Sequence, residues 1–156
     1  MTAPARITLP NDVMLSGVRD LLAEGHPVVI TCKGVSMLPF IVGGRDSVRL
    51  VYCKELAPGD IALAEVWDGK WVLHRVIGVE DGKVTLKGDG NLRSTEECDI
   101  SKVAGKVTEI LPPGRSVDPS AAKQQVRWRR WISTPYLCRR VWLAVLHRTI
   151  AKKYRI

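Results

Sequence analysis

A short segment with the sequence KGVSMLP, residues 33–39, decides how the rest of the chain is organised. The residues before it, PVVITC at 27–32, are apolar on both faces of an extended chain, which is typical of a buried strand. Gly34 permits a tight turn and Pro39 cannot occupy a helix interior, so no regular element resumes at once. We therefore expect the Ser36 hydroxyl to lie exposed at a strand end, where it is a candidate nucleophile.

A serine hydroxyl is a poor nucleophile at neutral pH, so it needs a base and a group that orients the base. His74 lies in WVLHRVIG, residues 71–78, where alternation places it on the same strand face as Val72 and Val76. An apolar setting disfavours the imidazolium ion, so a neutral His74 could accept the serine proton. The first choice for the orienting carboxylate is Asp89, in the turn-like sequence KGDGN.

Each of these residues also has an ordinary structural interpretation. A serine after a glycine is commonly a turn residue, and a histidine beside valines is commonly a core residue. Asp89 could hold its own loop through backbone N–H groups. Arg75, on the opposite strand face from His74, is expected at the surface or in a salt bridge. Taken singly, these residues leave both interpretations open.

Five motifs follow one another along the chain: GVSMLP at 34–39, GRD at 44–46, PGDI at 58–61, HRV at 74–76 and KGDGN at 87–91. In this order they resemble the sequence boxes of type I signal peptidases and their LexA-like relatives. The match spans roughly residues 27 to 111.

The resemblance implies a mostly β, hairpin-rich fold of the signal-peptidase and LexA-like type, with Ser36 as the nucleophile. Many members use a lysine as base, whereas His74 in an HRV context is similar to the endoplasmic-reticulum and archaeal branch. A Ser36–His74 pair is therefore implied, with no metal and no organic cofactor. Many relatives have a serine where this chain has Gly34, so the backbone N–H groups of Ser36 and Gly34 are expected to form the oxyanion hole.

Relatives also carry a second acidic residue shortly after the box that contains Asp89. This chain offers three acids there, Glu96, Glu97 and Asp99. Which acid orients His74 is therefore open at this point, with Asp89 as the first choice and Asp99 as the alternative.

The length of 156 residues and the hydrophobic content of 46% indicate one domain. We expect a helical segment over 1–26 with a helix at 11–24, a peptidase-like β domain over 27–114, and a linker with a basic, helical tail over 115–156. No stretch has the length of a signal-peptide core or a spanning helix, unlike typical signal peptidases. The four cysteines lack metal-binding spacing and indicate a reducing compartment. Strands are predicted at 46–52, 60–66, 70–79, 83–87 and 103–111.

The charge of the chain is concentrated in the tail. Residues 1–118 hold 14 Lys and Arg against 16 Asp and Glu, whereas residues 119–156 hold 10 basic residues and no acid. Three tryptophans lie among these cations, a mixture that suits an anionic lipid surface. Residues 123–156 are therefore expected to contact the inner membrane surface peripherally from the cytoplasm, with nucleic acid as a less favoured partner. Removing the chain after Ser120 should leave the chemistry of the body intact.

We therefore expect a serine endopeptidase that cleaves a peptide or precursor protein through Ser36, His74 and an acyl-enzyme. The substrate should be an extended peptide that pairs with a strand edge beside the Ser36 turn. Two alternatives stay open: a non-catalytic peptide-binding or regulatory module of the same fold, and a nucleic-acid-binding protein that uses the basic tail.

Overall fold

The structure, a computed structural model, describes residues 11–154. The predicted helical segment 1–26 is therefore described only from residue 11. Helix α1 spans Asn11–Ala23, as predicted. Gly25, just beyond its end, has a φ of 88° in the left-handed region, and the His26 N–H donates to the Leu21 carbonyl.

Within residues 11–154 the strands are β1 Val28–Thr31, β2 Ser47–Val51, β3 Ile61–Trp67, β4 Lys70–Glu80, β5 Lys83–Lys87, β6 Glu96–Asp99 and β7 Val103–Leu111. They form one curled antiparallel sheet in the order β1-β2-β7-β3-β4-β5-β6. This confirms the expected β-rich body. Tight hairpins connect β3 with β4 and β4 with β5, and they turn at residues 68–69 and 81–82. Strand β6, which is followed by a short 3₁₀ turn, was not predicted.

Strand β3 is buried on both faces and divides the core into two clusters. Ile61 and Leu63 pack on the side that α1 covers with Val18 and Leu22. Ala62, Ala64 and Val66 of the same strand alternate with them and point into the second cluster, which lies between β3, β5 and β6. The sheet is thus fixed in register by burial on both sides of its central strand.

Strand β4 is also buried on both faces near its middle. His74, Arg75 and Val76 are consecutive and all buried. The expectation of a surface position for Arg75 is therefore wrong, since the side chain is only 3% exposed, but the expected salt bridge is present. Arg75 is covered by Phe40 and by Trp128, which belongs to the second helix of the chain.

Two helices follow the sheet, α2 at Ala122–Ser133 and α3 at Tyr136–Tyr154. The helical character predicted for the tail is confirmed, but α2 is not separate from the body, because Trp128 is 7% exposed and faces Arg75. Helix α3 instead leaves apolar side chains in solvent. None of the helices within residues 11–154 is long and apolar enough to cross a bilayer.

We expect Trp128→Ala to destabilise the protein by about 3–5 kcal/mol, because it removes a buried aromatic side chain and leaves a cavity. Trp142→Ala is the matched control, because Trp142 in α3 is 56% exposed and its truncation should stay within about 0.5 kcal/mol of wild type. Urea unfolding measures both changes. Equal stabilities for the two variants would show that α2 does not belong to the folded body.

Candidate active site

A cleft of about 220 Å³ opens between α1, the end of β1 and the first half of β4. Ser36 and His74, the predicted nucleophile and the predicted base, both line it. Most of its wall is apolar, and the side chains come from elements distant in sequence. The lining includes Met14, Leu15, Ile30, Met37, Ile41, Leu63, Trp71 and Leu73.

Ser36 lies in a turn that follows β1 and is half-buried. Among residues 11–154, its hydroxyl makes no hydrogen bond, so its proton is not committed to another acceptor. The N–H groups of Gly34 and Ser36 likewise donate to no backbone carbonyl of the described residues. Gly34 has a φ of 79°, and a Cβ on Gly43 would collide with the Gly34 backbone, so the turn depends on both glycines.

The base of this turn is held by a fully buried carboxylate, Asp46. It accepts a hydrogen bond from the Val42 N–H at 2.8 Å and from the Arg45 guanidinium at 2.6 Å. The Gly44 N–H donates to the Cys32 carbonyl and so ties the returning chain to the end of β1. These contacts tie the chain that leaves the serine turn to the end of β1.

The carboxylate that contacts His74 belongs to Glu96. Its Oε2 lies 2.9 Å from His74 Nδ1, and the two side chains are 12% and 6% exposed. A carboxylate on Nδ1 places the ring proton there, which leaves the Nε2 lone pair free to act as a base. Glu96 is brought to this position by β6, which pairs with β5 so that Glu96 lies opposite Leu86.

The structure corrects both acids that were expected to orient His74. Asp89 is buried and paired with Arg75, whose Nη2 donates to Oδ2 at 2.7 Å. Asp99 accepts a hydrogen bond from the Ser101 N–H and caps the 3₁₀ turn. Strand alternation could have singled out Glu96, because it shares a face of β6 with buried Cys98 while its two acidic neighbours point outward.

Asp89 is best described as a loop-holding residue. Burial raises the pKa of its carboxyl, and the Arg75 guanidinium opposes that shift. Neither charge of this pair is exposed to water, so each depends on the other.

A second nucleophilic group, the Cys32 thiol, also lines the cleft. Burial, and then the Asp46 carboxylate, raise the pKa of Cys32 to about 12. At pH 8 only about one thiol in ten thousand would be ionised, and the thiolate is the reactive form. Ser36 is therefore the better candidate nucleophile of the two.

Comparison with known protein families finds no family whose sequence model matches this chain, and comparison with curated proteins finds no match. The residues and geometry of the cleft are therefore the basis for a functional assignment.

We expect Asp89→Asn to lower the free energy of unfolding by about 3–5 kcal/mol, because it leaves the Arg75 guanidinium buried without its counter-charge. Asp81→Asn is the control, since Asp81 is an exposed turn residue with a φ of 49° that asparagine also adopts. Urea unfolding measures both. A wild-type unfolding midpoint together with lost activity in Asp89→Asn would instead place Asp89 in the chemistry.

Proposed function

We propose that this chain is a serine endopeptidase similar in mechanism to the histidine-dependent signal peptidases. The observation that carries the proposal is the buried His74–Glu96 contact of 2.9 Å at the wall of the cleft that Ser36 also lines. A carboxylate, an imidazole and an uncommitted serine hydroxyl are the three groups that acyl transfer through serine requires.

In this mechanism, His74 Nε2 takes the proton of Ser36 as the serine oxygen attacks a peptide carbonyl carbon. The N–H groups of Gly34 and Ser36 stabilise the resulting oxyanion. His74 then returns the proton to the departing amine, the C–N bond breaks, and an acyl-enzyme remains. Water attacks the acyl-enzyme with His74 again as base, which releases the acid and restores Ser36. Glu96 keeps the imidazole oriented and stabilises its charged form.

Two strand edges near the cleft are available to an extended peptide substrate. Strand β1 is at the end of the strand order and, among residues 11–154, pairs with β2 alone. Residues 70–74 of β4 pair with β3 alone, because the pairing with β5 begins at Arg75. Both edges border the cleft, so a peptide between them would present its backbone to Ser36 by main-chain hydrogen bonds.

The proposal is tested with a fluorophosphonate probe and a β-lactam-type acylating probe, read by intact mass. Wild-type protein should be labelled, and Ser36→Ala should not be. His74→Gln should slow labelling by about 10²–10⁴-fold, because the serine loses its base. Lys33→Ala should stay near wild type, although Lys33 also lines the cleft.

The same assay tests whether Glu96 orients His74, by comparing variants of two neighbouring residues of β6. Glu96→Gln should slow labelling by roughly 10²–10⁴-fold, because the amide cannot hold the imidazole as a carboxylate does. Glu97→Gln is the matched control, since Glu97 is exposed and pairs with Lys83. Wild-type protein that neither probe labels would favour the non-catalytic peptide-binding alternative.

We also propose that α3 contacts an anionic membrane surface. Four of its side chains, which we call the outer face of α3, are more than half exposed: Leu137, Val141, Trp142 and Val145. Spacings of four residues along a helix align three of them in one stripe. Exposed Arg140, Arg148 and Lys152 accompany them, and among the ion pairs within residues 11–154 none involves a cation of α2 or α3.

An apolar stripe with unpaired cations and a tryptophan fits the interface of a bilayer. Each cation near an anionic membrane contributes roughly 1 kcal/mol, an attraction that salt screens. The contact should therefore be peripheral and reversible.

Full-length protein should co-sediment with vesicles of phosphatidylserine and phosphatidylcholine at low salt, and high salt should release it. Trp142→Ala should weaken the binding several-fold, because the indole no longer enters the interface. Trp67→Ala is the matched control, since Trp67 in β3 is 62% exposed but lies outside α3. Protein that ignores these vesicles yet binds duplex DNA at the same salt would identify nucleic acid as the partner instead.

A further inference from the structure

Arg75 lies between two aromatic rings that come from different parts of the chain. Its guanidinium carbon is 5.3 Å from the centroid of Phe40 and 5.3 Å from that of Trp128. Phe40 belongs to the turn that begins at Ser36, and Trp128 belongs to α2. A buried cation between two ring faces is stabilised by both, so Arg75 connects α2 with the serine turn.

Helix α2 also contacts the loop that carries Asp89. Trp131 Nε1 donates a hydrogen bond to the Asp89 carbonyl at 2.8 Å. The next residue of the loop, Gly90, donates its N–H to the Ser36 carbonyl at 2.8 Å. A path of direct contacts therefore runs from the indole of Trp131 through two loop residues to the backbone of the candidate nucleophile.

The loop and the serine turn are in contact backbone to backbone. A Cβ on Gly88 would lie 2.5 Å from the Ser36 carbonyl oxygen, and one on Gly90 would lie 2.8 Å from the Val35 carbonyl oxygen. At these two glycines the loop meets backbone carbonyls of the turn directly, so a displacement of the loop is passed to the turn. A shift of the loop would therefore move Ser36 with respect to His74.

A third contact fixes α2 near the start of β3. Gln125 Nε2 donates to the Gly59 carbonyl at 3.3 Å and to the Pro119 carbonyl at 2.8 Å. Arg75 Nη1 donates to the same Gly59 carbonyl at 3.0 Å. Helix α2 and Arg75 thus share an acceptor, which limits the freedom of the helix to move independently.

We propose that Trp128 and Trp131 of α2 are positioning residues for the active site. Through the Arg75–Asp89 pair and the loop at 88–91, they hold Ser36 in the place from which it attacks. The inference rests on the proposed peptidase function for its effect on the chemistry, whereas the contact between loop and turn is independent of it. Neither tryptophan lines the cleft, so neither is expected to touch substrate.

The test uses Trp131→Phe, which keeps an aromatic ring and removes the Nε1–H. In full-length protein, amide hydrogen exchange of Gly90 should become about tenfold faster, while the amides of β2 keep their wild-type rates. The first-order rate at which the fluorophosphonate probe labels Ser36, by forming an O–P bond as fluoride leaves, should fall about 10- to 100-fold per folded molecule, because a small displacement of a reacting group is costly. The apparent affinity for the probe should stay the same, since the cleft wall is unchanged.

Trp142→Phe on α3 is the matched control and should alter neither rate. A second pair keeps the test valid if one variant unfolds: Trp128→Leu loses both the ring that faces Arg75 and the hydrogen bond to Asp89, whereas Trp128→Phe loses the hydrogen bond alone, so Trp128→Leu should lower the labelling rate more than Trp128→Phe does. Unchanged Gly90 exchange in Trp131→Phe would overturn the inference, as would faster exchange with an unchanged labelling rate. Failure of wild-type labelling would contradict the peptidase function alone, and Gly90 exchange would still decide whether α2 holds the serine turn.

Discussion

The arrangement of the candidate site depends on the buried ion pair between Arg75 and Asp89. Two charges removed from water must pair with each other, and this pair fixes the distance between β4 and the loop at 88–91. Because Arg75 directly follows His74 on β4, the pair lies behind the candidate base on the opposite face of the strand. Because Gly90 directly follows Asp89, the same loop reaches the Ser36 carbonyl. One electrostatic contact thus relates the candidate nucleophile to its base.

The regular elements could be predicted from the sequence because their signals are local. Alternating burial and two Asp-Gly turns define the hairpins of β3, β4 and β5, and a glycine at its end defines α1. The partner of His74 could not be chosen in the same way. Four acids lie between residues 89 and 99, and which of them meets the imidazole depends on the register of β6 against β5, which is a non-local quantity. Only alternation within the short β6 distinguishes Glu96 from its neighbours.

The burial of Arg75 was missed for a related reason. Alternation predicts which face of β4 the side chain occupies, but it does not predict what covers that face. The covering element, α2, was read from its cations as part of a free tail. Its tryptophans lie three residues apart and so share one side of the helix, which is the pattern of a helix that packs on a body. The cations therefore indicate only the outer side of α2, whereas its tryptophans mark the side that contacts the body.

Helices α2 and α3 both carry many cations, but their tryptophans lie in different surroundings. Trp128 and Trp131 of α2 turn toward the body, whereas Trp142 of α3 and its apolar neighbours remain in water next to unpaired cations. The body cannot neutralise these cations, because its acids slightly outnumber its own bases and several are already paired there. A polyanion such as nucleic acid would relieve the charge repulsion but leave the apolar stripe of α3 exposed. An anionic bilayer relieves both, since its phosphates meet the cations while its acyl region accepts the aliphatic side chains.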